Sequence, residues 1–140
     1  MIVLNKINDN IEFESQLINI SQIELLIDEV CDKLSIDQDY YGNMLIALTE
    51  AVNNAIIHGN KQDPNKHVKL HYETKNNEVL FTVQDQGIGF DYLKVPDPTT
   101  PENIHNLNGR GVFLMKNLAD EVTFEKNGSK VMLRFTISTN

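Results

Sequence analysis

The sequence predicts an α+β fold, a two-layer α/β sandwich in which helices pack on one face of a mixed, mostly antiparallel sheet. Two observations carry this prediction. Apolar residues recur at helical spacing through residues 17–34 and 38–58, whereas "HVKLHYET", "EVLFTVQD", "EVTFEK" and "KVMLRFTI" read as strands. The order is strands, two helices, a hairpin, a long loop, a helix and a second hairpin, which suits helices laid over an antiparallel sheet. The 140 residues, 41% hydrophobic and 23% charged, suffice for one domain with its own core, so residues 1–140 read as a single unit.

Each element has its own signal. At the start, "MIVLNKI" and "IEFES" are strand-like patches separated by the turn-prone "NDN". In the first helix, Ile23, Leu26, Ile27, Val30 and Leu34 form one stripe, with Ser21 and Glu24 spaced as a capping pair. The second helix, from about Gln38 to His58, has the stripe Leu45, Leu48, Val52, Ala55 and Ile56, with Gly59 and Asn60 as terminators. "KNN" suits the turn of the first hairpin and "NGS" that of the second. Residues 91–108 hold three of the four prolines and form a long irregular loop, and such loops in compact domains tend to be functional. "GVFLMKNLADE" is a short third helix whose apolar run is core packing.

Charge narrows the function. A net charge of −8 from 20 acids against 12 bases, with no Lys/Arg cluster, argues against direct nucleic-acid binding. An acidic chain can still hold a polyanion if backbone N–H groups, a helix N-terminus or a metal supply local positive potential. No apolar run approaches the roughly 20 residues of a membrane helix, and "MIVLNKINDN" lacks the pattern of a secretory signal. A cytoplasmic protein that does not engage membranes is expected. Cys31 is the only cysteine, which leaves a buried core residue as its reading. His67, His71 and His105 read as lying on separate elements without a metal motif, and His58 as a residue capping helix-end carbonyls.

Three constellations carry chemistry. Along the second helix Asn43, Ala47, Glu50, Asn54 and His58 step by three or four residues and line one side. Glu50 and Asn54 place a carboxylate and an amide on adjacent turns; the first can take a proton and the second is a hard, neutral ligand suited to Mg²⁺. On its own this pairing also occurs on ordinary solvated helix faces. In "VQDQGIGFD", Asp85 ends an apolar strand and is followed by Gly87 and Gly89. A carboxylate facing a pocket can accept a hydrogen bond from an exocyclic amine such as adenine N6, and glycines let backbone approach a flat base. A plain glycine turn fits the same letters. Gly109, Arg110 and Gly111 precede the third helix, where free N–H groups form a phosphate cradle to which Arg110 or Lys116 can add charge. A hinge at the end of the proline-rich loop is the alternative.

Taken in order, "TEAVNNAIIHGN", "DQGIGFD", the long loop and "NGRGVFLMKNLADEV" resemble the GHKL ATPase superfamily, which takes in gyrases, heat-shock chaperones, histidine kinases and mismatch-repair ATPases. The E-x-x-x-N helix resembles its N box, D-x-G-x-G its first glycine box and G-R-G its second, over about residues 40–136. Within the superfamily the chain looks like the bacterial anti-sigma factor serine kinases of partner-switching systems. A separate phosphoacceptor domain, as in histidine kinases, and a transducer domain, as in gyrases, find no room in these 140 residues. The segment 11–38 contains no arginine and only Lys33, a departure from relatives that use an arginine near the first helix to contact partners.

The resemblance implies roles. Glu50 is the general base, Asn54 coordinates Mg²⁺ and Asn53 sits nearby. Asp85 reads adenine, and Gly87 and Gly89 shape its pocket. Gly109, Arg110 and Gly111 bracket the phosphates, residues 91–108 form the ATP lid, and Ser129 stands where relatives often carry a threonine that supports the adenine site through a water. It further implies an ATP- and Mg²⁺-dependent protein serine/threonine kinase that phosphorylates a small antagonist protein and sequesters a sigma factor, as a homodimer. The alternative is a non-catalytic ATP-binding module that engages partners in a nucleotide-dependent way.

Overall fold

Five strands and three α-helices make up the computed structural model, which describes residues 8–16, 21–75, 77–88 and 110–137. The strands are β1 (Asn8–Glu14), β2 (His67–Lys75), β3 (Glu78–Gln84), β4 (Glu121–Glu125) and β5 (Lys130–Thr136). They form one sheet in the order β1-β2-β3-β5-β4, and every pairing is antiparallel, so the parallel component of a mixed sheet does not occur among the described strands. The helices are α1 (Ser21–Leu34), α2 (Gln38–Asn54) and α3 (Arg110–Leu118).

Strand alternation assigns the two sheet faces. Leu70 pairs with Val83, Tyr72 with Phe81 and Thr74 with Val79, and β3 in turn sets Phe81 against Leu133 and Val79 against Phe135. All of these side chains are buried. Because side chains alternate along a strand, they share one face, and that face meets the helices. Phe81 stacks edge-on against Phe135 with centroids 6.0 Å apart. The other face is polar; there Arg134 lies 3.3 Å from both Glu78 and Glu121. The α1 stripe is buried throughout, with Cys31 beside it. Burial, with Asp28 and Asp32 alongside, pushes the Cys31 thiol up, so it stays protonated as a core residue.

Several elements differ from the sequence reading. "NDN" is part of β1, because Asn8, Asp9 and Asn10 pair with Glu73, Tyr72 and His71; ladder pairing overrides weak strand propensity. "MIVLNKI" and residues 17–20 lie outside the described residues. His67 and His71 share β2 rather than lying on separate elements. On α2, capped by the Asp37 side chain on Asp39 N–H at 2.9 Å, Met44 and Ala47 belong to the buried stripe, and Leu45 is only partly buried. Ala47 therefore leaves the polar line. The α-helix ends at Asn54 and continues as a π-helical turn, Ala55–Gly59. The third helix stops at Leu118, since Asp120 is taken by β5: its N–H donates to the Arg134 carbonyl at 2.9 Å and its carboxylate accepts from Thr136 N–H at 2.6 Å. The β4–β5 turn is Lys126–Asn127–Gly128 rather than "NGS", with φ of 51°, 59° and 92°. Three successive residues of positive φ reverse the chain inside the four-residue loop that the Glu125–Lys130 pair closes.

Candidate functional site

The site is built along α2, whose polar side escapes the sheet. Glu50 and Asn54 are one turn apart, half-buried, and face the first turn of α3. A Cβ on Gly111 would stand 2.9 Å from Glu50 Oε2, 2.9 Å from Asn54 Nδ2 and 3.2 Å from Asn54 Oδ1. With glycine at this position the α3 N-terminus lies against both side-chain ends, and a larger residue would push them aside. A carboxylate and an amide thus converge on a helix N-terminus, where N–H groups without intrahelical partners favour anions. Arg110 opens α3; its side chain, Gly109, Gly89 and the loop 91–108 lie outside the described residues. Asn53 is half-buried, three residues from Glu50 and so on the same side.

The second pole lies at the end of β3. Asp85 is only 9% exposed. Its N–H donates to the Ser129 carbonyl at 2.9 Å, which anchors it to β5. Asp85 Oδ1 accepts the Gly87 N–H at 2.8 Å. Burial raises the Asp85 pKa, opposed by the Gly87 N–H and by the nearby Lys66 ammonium. Ser129 thus meets the site through its backbone, and its hydroxyl donates to the Lys126 carbonyl at 2.8 Å.

Two residues read from sequence as helix terminators prove central here. The Gly59 Cα rests against the Asp85 carboxylate, and a Cβ there would overlap it. The Gly87 Cα rests on the Gly59 carbonyl in the same way. Gly59, Asp85 and Gly87 therefore interlock, and the π turn delivers Gly59 to this contact; such turns are frequent at functional sites. Asn60, 1% exposed, is the hub beneath. Its amide N–H groups donate to Ser15 Oγ at 2.7 Å and the His67 carbonyl at 2.9 Å, and its Oδ1 accepts the Gln86 N–H at 2.7 Å. Gln86 Oε1 accepts the His67 N–H at 2.7 Å, and the Ser15 hydroxyl donates to the Lys66 carbonyl at 2.6 Å. The "HGN" that ends the helix was the available signal, but neither partner is a sequence neighbour. Replacing Asn60 with alanine orphans these groups and is expected to cost on the order of 3 kcal/mol, read by urea denaturation.

The two poles are separated by the nine residues from Glu50 to Gly59, about 13 Å along the helix axis at roughly 1.5 Å per residue. That is the scale of an extended nucleoside triphosphate. One end offers a buried carboxylate in a glycine-lined turn, the other a carboxylate, an amide and a helix N-terminus. Among the described residues His58 is exposed and His67 faces Glu12 at 3.1 Å, while His105 lies outside them. Among the described residues, no helix is long and apolar enough to cross a membrane.

Comparison with known proteins places the chain in a family. The histidine kinase-like ATPase domain matches residues 13–137. The serine-protein kinase RsbW of Staphylococcus aureus strains JH9 and Newman is 32% identical over 114 residues, covering 76% of this chain and 72% of the relative. The crystal structure of the RsbU and RsbW domains of Rv1364c from Mycobacterium tuberculosis superimposes with a TM-score of 0.64 over 96% of this chain. At 13% identity that likeness is one of fold, and the chain spans 33% of that longer protein. With its profile matched from Phe13 to Ile137 and its helices and sheet arranged alike, the chain belongs to the histidine kinase-like (GHKL) ATPase family, among relatives of the serine-protein kinase RsbW.

Proposed function

We propose that this chain is an ATP-dependent protein serine/threonine kinase acting as an anti-sigma regulator in a partner switch. It phosphorylates a small antagonist protein and sequesters a sigma factor, as a cytoplasmic homodimer. The observation that carries the reading is the convergence of Glu50 and Asn54 on Gly111 at one end of α2, with the Gly59–Asp85–Gly87 interlock at the other. Kinship with a serine-protein kinase supports the reaction class.

Each pole has its task. Gly87 N–H occupies Asp85 Oδ1, which leaves Oδ2 to accept from adenine N6. Guanine presents a carbonyl oxygen at that position, so the ionised carboxylate selects ATP over GTP. The N–H groups of α3 would hold the triphosphate; Gly89 is assigned to the base, Gly109 and Arg110 to the phosphates, and residues 91–108 to the lid. Asn53 lies alongside, and Ser129 backs Asp85. A carboxylate and an amide oxygen beside a helix N-terminus form a hard donor set that fits Mg²⁺, and Asn54 Oδ1 is the ligand this chain offers. When bound, Mg²⁺ offsets the triphosphate charge. Glu50 takes the proton of the substrate Ser or Thr hydroxyl as its oxygen bonds to the γ-phosphorus. The bond from that phosphorus to the β–γ bridging oxygen breaks, and ADP leaves with the electron pair.

Incubation with γ-labelled ATP and small antagonist proteins tests this, with label expected on a Ser or Thr of the antagonist. ATP binding without label on any antagonist would establish the non-catalytic module instead. A second check uses Gly111→Ala. The added methyl presses on the flexible ends of Glu50 and Asn54, so the fold should survive while transfer falls on the order of a hundredfold in single-turnover assays.

A further inference from the structure

We propose that the Gly42–Ile46 face of α2 is the docking surface for the substrate segment that carries the phosphoacceptor Ser or Thr. This rests on the kinase reading and adds where the protein substrate sits. Gly42, Ile46 and Glu50 follow one another at intervals of four residues, so they form a single line that ends at the reacting carboxylate. Ile46 is 45% exposed, an apolar side chain presented to solvent one turn before Glu50. Gly42 stands inside the helix, where glycine is the least favourable residue after proline. Nothing in its own fold demands it: its φ is not in the left-handed region, and among the described residues no atom beyond its chain neighbours and its own helix backbone lies within 4 Å of where its Cβ would stand. A glycine that weakens a helix without an internal reason fits close approach by another chain.

The occupant follows from the same line. A hydroxyl must come within hydrogen-bond reach of Glu50, so the substrate backbone starts there. Ile46 is about 6 Å and Gly42 about 12 Å back along the axis, and an extended chain advances roughly 3.3 Å per residue. The geometry calls for an extended segment with an apolar side chain one to two positions from the phosphoacceptor, resting on Ile46. Its backbone passes over Gly42 three to four positions away.

The test uses the antagonist protein labelled by the wild-type chain, with Gly42→Ala, Ile46→Asp and, as control, Lys69→Asp. Lys69 is exposed on β2, on the polar sheet face away from the helices. Expected are KM values raised roughly tenfold or more for the two α2 variants, with kcat and calorimetric ATP affinity unchanged, and no change for the control. Gly42→Ala should at the same time melt at a higher temperature, which separates lost docking from damage to the fold. Wild-type KM in both α2 variants, or an equal rise in the control, overturns the docking face while the kinase reading stands. A wild-type chain that labels no antagonist overturns both.

Discussion

Replacing Glu50 with glutamine should lower phosphoryl transfer by about 10²–10⁴-fold, the usual contribution of a positioned general base. Glutamine keeps the length of the side chain and its fit against Gly111, so the α2–α3 contact is retained. What is lost is the ability to accept a proton. ATP affinity should therefore stay within a few-fold of wild type, since the proposed arrangement assigns adenine and most of the triphosphate to other residues. The measurement is single-turnover label transfer beside calorimetry with ATP. Transfer within tenfold of wild type would remove Glu50 from the base role. A parallel loss of ATP binding would mean instead that Glu50 holds nucleotide.

Asp85→Asn is the second large effect, and it should separate stability from binding. Loss of the charge-assisted bond to adenine N6 is expected to weaken ATP binding roughly ten- to hundredfold. The unliganded protein should gain stability at neutral pH, because a nearly buried carboxylate no longer has to be ionised. The pH dependence has a definite sign. With the folded pKa raised above the unfolded value, the native state binds the extra proton within that window. The favourable contribution of Asp85 is full below its unfolded pKa and is lost as pH rises through the raised one. The advantage of Asp85→Asn should thus shrink as pH falls, followed by urea denaturation from neutral to mildly acidic pH. A variant that binds ATP as tightly as the parent would overturn the adenine assignment.

Much of the fold is legible because periodicity is a local property. The α1 stripe, the inward residues of β2, β3 and β5, and the start of α2 at about Gln38 follow from spacing alone. The departures occur where a partner distant in sequence intervenes. The residues of "NDN" read as a turn until β2 supplies a ladder, and Asp120 reads as helix until β5 takes its N–H and carboxylate. Ala47 counts as part of a polar line until the packing of α2 buries it.

The candidate site divides in the same way. The candidate groups are readable as letters: a carboxylate and an amide one turn apart, an acid ending an apolar strand, and glycines opening a helix. These are residue types at fixed short spacings, and spacing alone places them on one side of an element. What those groups touch came from the folded chain. It set Gly111 against Glu50 and Asn54, and Gly59 between Asp85 and Gly87. It also made Asn60 the hub that ties β1 and β2 to the turn carrying Asp85. The physical reason is that these contacts join segments tens of residues apart, through backbone approaches and single hydrogen bonds that have no period. A glycine at a helix end has the same letter whether it stops a helix or makes room for a carboxylate, and the neighbour across the fold determines which.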